Sequence, residues 1–180
     1  MLQHLITHDE TLRMVPTDRE RLTTAVAELR ESLRAALPAG TDPARIRGLA
    51  RWTGIGLMVL GEPHGAQTFL RQALALATAE GNGQAAIAAE LNLADAHRYS
   101  GQAETAETHY RSALATARSR HPELLDFALQ HLAKHLIEQG DLAQARTHLE
   151  EALQLRLATG NAELIDSTQA ALAHVDLPLG

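Results

Sequence analysis

Apolar residues recur along the chain with the spacing of helices, and that helical pattern is itself repeated. The segments beginning at Gly61, Gly101 and Gly140 all read G-x4-A-x3-(L/Y)-x2-A-L, at spacings of 40 and 39 residues. In the first, Ala66, Leu70, Ala73 and Leu74 stand at i, i+4, i+7 and i+8, one face of a helix. Upstream of each Gly a second set of columns aligns: Gly54, Ala94 and Ala133 are small, and Leu57, His97 and Leu136 follow three places later. Small residues in these columns and at Ala66, Ala106 and Ala145 let two helices approach closely. The Gly between them predicts a left-handed cap. Each unit therefore reads as helix, tight turn, antiparallel helix. One hairpin cannot bury both of its faces, so successive hairpins are predicted to stack.

The boundaries agree with that reading. Gly81-Asn82 and Gly160-Asn161 close two units, and His121-Pro122 falls at the junction between them. Helices are predicted over 44–60, 63–80, 84–99, 103–119, 122–139, 142–158 and 162–175. The last is a capping helix, stopped by Asp176-Leu177-Pro178. Ahead of them, Thr17-Asp18-Arg19-Glu20 reads as a capping box opening a helix to about Leu37. Residues 2–13 are expected to form a short helix through Leu2, Leu5, Ile6 and Leu12. Pro38-Ala39-Gly40 is the one plausible hinge and is too short to separate domains. The expectation is a single all-α domain: N-terminal helices in 1–40, repeats over 44–81, 84–120 and 122–160, and a cap over 162–176.

Composition supports helices. Ala and Leu make up about a third of the 180 residues, both strong helix formers, while aromatics are only 3%. A net charge of −6 lacks the basic footprint of a nucleic-acid binder. No apolar run approaches a membrane span, and the first residues lack the pattern of a secretory signal. There is no Cys, so disulfides and thiolate chemistry are excluded. A cytoplasmic location is the expectation. No catalytic motif or glycine-rich phosphate loop is present, and no cofactor is expected. His131 and His135, at i and i+4 with Glu138 nearby, could share a metal; they read better as surface and groove histidines, so no metal site is expected.

The small-residue columns and the Gly-x4-Ala-x3-(Leu/Tyr)-x2-Ala-Leu motif resemble tetratricopeptide (TPR) repeats. The resemblance covers about residues 45–175, in three and a half units. The usual period is 34 residues; the longer period here is similar to the long-helix type common in bacterial regulators and kinesin light chains. It implies a right-handed α-α superhelix with a concave face that holds peptides or partner proteins, and no catalysis.

In that family the first helix of each unit lines the groove. The facing columns are then Arg51, Leu91 and Gln130; Trp52, Asn92 and His131; Ile55, Asp95 and Lys134; Val59, Tyr99 and Glu138. Asn92 stands where family members often carry an Asn that bonds a bound peptide backbone; its other reading is a solvated helix residue. Arg51 and Lys134 alone cannot supply the family's carboxylate clamp, and Ile55 and Phe127 occupy places where polar residues would be wanted. The implied function is a non-enzymatic protein or peptide interaction module using Arg51, Trp52, Asn92, Asp95, Tyr99, Gln130, His131, Lys134 and Glu138. The alternative is a peptide- or ligand-responsive regulator acting by rearrangement of the superhelix.

Helix 44–60 stands apart. Leu49, Ala50, Thr53, Gly54, Leu57 and Leu60 form one face, yet Trp52, Ile55, Met58 and Val59 lie on the other. A helix apolar all round is covered all round. Either the N-terminal segment 1–37 folds over it, or a partner does, a second copy in a homodimer being one such partner.

Overall fold

Glycine sets the joints of the chain. In the computed structural model, which describes residues 2–39 and 42–176, Gly61, Gly101 and Gly140 adopt φ of 87°, 77° and 80°. Just beyond them, the N–H groups of Glu62, Gln102 and Asp141 each donate to the carbonyl of Leu57, His97 and Leu136 at 2.9 Å. This is the reversed 6→1 bond that ends a helix at a left-handed residue. The column three places after the small residue is thus the carbonyl that closes each turn. Gly40 of the expected hinge and the Leu177-Pro178 stop lie outside the described residues.

The helices between these joints follow the predicted boundaries closely. They are α1 (Arg19–Ala36), α2 (Pro43–Val59), α3 (Pro63–Ala79), α4 (Gly83–Tyr99), α5 (Ala103–Arg120), α6 (Leu125–Glu138), α7 (Leu142–Thr159) and α8 (Ala162–Asp176). Two starts differ from expectation. The segment Pro122–Leu124 is a 3-10 turn, so α6 opens later than 122. The cap of α1 is Asp18, whose carboxylate accepts from the Arg21 N–H at 3.0 Å, in place of Thr17.

The N-terminus corrects a larger expectation. Residues 2–13 do not form a helix. After a 3-10 turn at Gln3–Leu5, strands β1 (Ile6–His8) and β2 (Met14–Pro16) pair antiparallel, with Thr7 opposite Val15. Asp9 organises the loop: its Oδ1 accepts from the Thr11 N–H at 2.9 Å, the Thr11 hydroxyl at 2.7 Å and the Arg13 N–H at 3.0 Å.

The chain divides into two compact units, Met1–Ala106 and Glu107–Gly180, with the division inside α5. In the first, α1 packs on α2, α2 on α3 and α3 on α4; in the second, α6 packs on α7 and α7 on α8. The repeat columns carry the packing. Ala66, Ala106 and Ala145 are wholly buried, and so are Leu70, Tyr110 and Leu149 and then Ala73, Ala113 and Ala152.

The N-terminal segment covers the second apolar face of α2. Leu2, Leu5, Leu22 and Val26 join Ile55, Met58 and Val59 in one core cluster, and the Arg19 guanidinium donates to the Leu60 carbonyl at 2.8 Å. Of the two covers considered for that face, the chain supplies the first itself. Gly56 is where α1 comes closest: a β-carbon there would collide with Val26 Cγ2 and lie 3.1 Å from Leu2 Cδ1. Overpacking a site closed by a β-branched side chain costs about 1–3 kcal/mol. Gly56→Val is therefore expected to lower stability by about that amount in chemical denaturation, while Gly65→Ala, whose β-carbon would meet only Leu57 at 3.9 Å, leaves it near the parent value.

Candidate functional site

The first-helix columns hold buried polar contacts in both units. In the first, Arg51 Nε donates to Asn92 Oδ1 at 2.8 Å, and the guanidinium lies 5.4 Å from the centre of the Trp52 ring. Burial, then the charge of Arg47, draws the Arg51 pKa down. Asn92 is only 7% exposed, so it is not a solvated residue, and its side-chain oxygen is already engaged.

Further along α4, Asp95 Oδ1 accepts from Arg98 Nη2 at 3.2 Å, both side chains buried and Asp95 only 1% exposed. Arg98 and Arg13 each lie 5.0 Å from the centre of the Tyr99 ring, and the Tyr99 hydroxyl accepts from the Met14 N–H at 2.6 Å. Burial, then the Asp95 carboxylate, raises the Tyr99 pKa, which keeps the phenol neutral. Tyr99 is thus an anchor for β2. Asp95 and Tyr99 were expected on an open face; they serve the interior and the N-terminal hairpin instead.

The second unit has a corresponding centre at Arg156, 2% exposed. Its guanidinium donates to Asp126 Oδ2 at 2.8 Å, to Thr168 Oγ1 at 2.7 Å, to the Leu164 carbonyl at 3.1 Å and to Gln130 Oε1. It also lies 5.3 Å from the centre of the Phe127 ring. Gln130, expected as a contact for ligand, is 5% exposed and spans from this arginine to the Ser167 hydroxyl at 2.9 Å. Arg156 was not singled out in the sequence. The signal was there: it occupies the column of Ala77 and Ala117, both wholly buried, so a charge at that place needed a counter-charge.

His135 is not a surface histidine. It is 0% exposed, 5.4 Å from the buried Tyr110 ring, with Nε2 3.8 Å from Glu107. His131 is half-buried, 6.5 Å from the same ring. Lys134 is buried and Glu138 half-buried. Among the described residues no three His, Asp or Glu side chains come together as metal ligands. Nor is any described helix long and apolar enough to cross a membrane.

His148, on α7, is half-buried. Burial lowers its pKa below the ordinary 6.5, against Glu151, which raises it. The unfolded chain then binds more protons as pH falls below about 6.5, so the folded state loses stability from there down to the lowered value. Denaturation midpoints are expected to drop as pH falls from about 7.5 to about 5.5, about one unit to either side of a free histidine. His148→Gln is expected to reduce that drop.

No family model matches the sequence, and no curated protein matches it. Solved structures do. BtubC (BKLC) from P. vanneervenii superposes with a TM-score of 0.70 at 21% identity, over 86% of this chain and 65% of its own. A putative kinesin light chain of nearly identical TPR-like repeats from Podosopora anserina superposes at 0.66, with 18% identity over 87% of this chain and 78% of its own. A point variant of that protein gives 0.67 at 18% identity, over 87% of this chain and 77% of its own. This chain thus spans just under two thirds of BtubC's length. Such likeness identifies the architecture: the chain has the all-α solenoid fold of TPR-like repeat proteins.

Proposed function

We propose that the chain is a non-catalytic module that binds a protein or peptide through the first helices of its repeats. The observation that carries this reading is the match to TPR-like repeat structures over 86% of the chain, a scaffold whose typical use is protein–protein interaction. The partly exposed Arg51, Trp52, His131 and Glu138 are the contacts proposed, each unit presenting its own pair. A Trp beside a guanidinium offers the large, rigid surface that usually carries binding energy. Asn92 contributes its amide N–H groups where a partner reaches it. Asp95, Tyr99, Gln130 and Lys134 support these helices from within.

The test is capture from the native organism with the intact chain as bait, followed by direct affinity measurement on what is captured. The variant Arg51→Ala/His131→Ala is expected to lose the partner while keeping the parent's far-UV circular dichroism. Equal recovery by parent and variant rejects these helices as the binding surface.

A further inference from the structure

The 3-10 turn at Gln3–Leu5, α1 and α2 enclose a half-open cleft of about 790 Å³ within the first unit. Its floor is apolar, built from Leu2, Leu5, Leu29 and Trp52. One lip is a single stripe of α1: Glu20, Thr24 and Glu28 stand at i, i+4 and i+8 and all line the cleft. Among the described residues neither Glu20 nor Glu28 takes part in an ion pair, and both are exposed. Eight residues of helix separate the two carboxylates by about 12 Å. Trp52 is the chain's sole Trp, and the guanidinium of Arg51 stands over its ring.

We infer that this cleft seats an extended protein segment with a large apolar side chain between two basic residues. The apolar side chain packs on Leu29 and Trp52, and the basic residues meet Glu20 and Glu28. An extended chain advances about 3.3 Å per residue, so two cations four positions apart span about 13 Å and match the lip. Arg21, also lining the cleft, donates to backbone carbonyls of such a segment. An acidic segment would face two like charges, Glu20 and Glu28, against the single cation Arg21. The inference rests on the interaction-module reading and adds to it a place and a sequence preference.

Trp52 emission reads the cleft directly. The intact chain is titrated to millimolar concentration with the capped peptide Lys-Gly-Leu-Gly-Lys, with Glu-Gly-Leu-Gly-Glu, and with Lys-Gly-Gly-Gly-Lys. The first is expected to give a saturable change that weakens with added salt, and the other two none. In Glu20→Gln/Glu28→Gln, two surface substitutions away from the core, binding is expected to weaken about tenfold, the effect of losing two partly exposed ion pairs. A flat titration with the first peptide overturns the inference, as does an equal response to either control or an unchanged affinity in the variant. A chain that captures a partner through Arg51 and His131 yet ignores all three peptides retains the module reading and loses the cleft.

Discussion

Arg156→Ala is expected to destabilise the second unit by about 3–5 kcal/mol, although it restores the alanine that the other two repeats carry in this column. Alanine would remove the cation from a site already built for one. Asp126 would lose the guanidinium that lies 2.8 Å away, and Gln130 and Thr168 would lose their shared donor. Desolvation of the carboxylate has been met by that arginine, and removing one member of a buried pair leaves the other uncompensated. The same side chain also ties α8 to α6 and α7 through the Leu164 carbonyl. Amide exchange should therefore rise most in α8, and the thermal midpoint should fall by on the order of 10 °C.

The second repeat shows how to separate the arginine's charge from its volume. Where the third repeat has Asp126, Gln130 and Arg156, the second has Ile87, Leu91 and Ala117, all buried. Asp126→Ile/Gln130→Leu/Arg156→Ala transplants that apolar set. Thr168 stays satisfied through the Leu164 carbonyl at 2.9 Å. The triple variant is expected to be more stable than Arg156→Ala alone. If Arg156→Ala melts with the parent, the buried network carries no weight and the account is wrong.

The contrast between these repeats also marks how far the sequence could be read. Joints and helix faces were legible because Gly61, Gly101 and Gly140 and their flanking columns obey one spacing, and backbone geometry at a left-handed cap admits few alternatives. The N-terminal hairpin was not. Its strands have three residues each, too short to show alternation, and the loop residue with positive φ is Leu12, at 62°, where Gly or Asn would have announced a turn. The all-round apolar face of α2 was visible and demanded a cover; which segment supplied it depended on tertiary contacts such as Val26 against Gly56. The candidate site was read least well. Column position correctly put Asn92, Asp95 and Gln130 in first helices, but position does not reveal what a polar group already bonds. Arg51, Arg98 and Arg156 had claimed those three.

Asp95→Ala is the second large effect expected. Asp95 and Arg98 stand at i and i+3 on α4, in columns where the first repeat has Ile55 and Met58, so a charged pair fills places that are apolar one unit earlier. Removing the carboxylate takes from buried Arg98 a counter-charge 3.2 Å away, a loss expected to cost about 3–5 kcal/mol. Arg98 also lies against the Tyr99 ring, and Tyr99 holds the Met14 N–H, so the damage should reach the hairpin. Met14 and Val15 amides are expected to exchange faster in Asp95→Ala than in the parent. Tyr99→Phe supplies the comparison: it deletes only the hydroxyl acceptor, leaves the Asp95–Arg98 pair in place, and should loosen the hairpin at a cost of about 1–3 kcal/mol. Asp95→Ile/Arg98→Met, which imports the first repeat's pair, is expected to recover part of the loss. Should Asp95→Ala leave both the midpoint and hairpin exchange at parent values, the pair would have to be read as solvated, and α4 would regain Asp95 as a surface available to a partner.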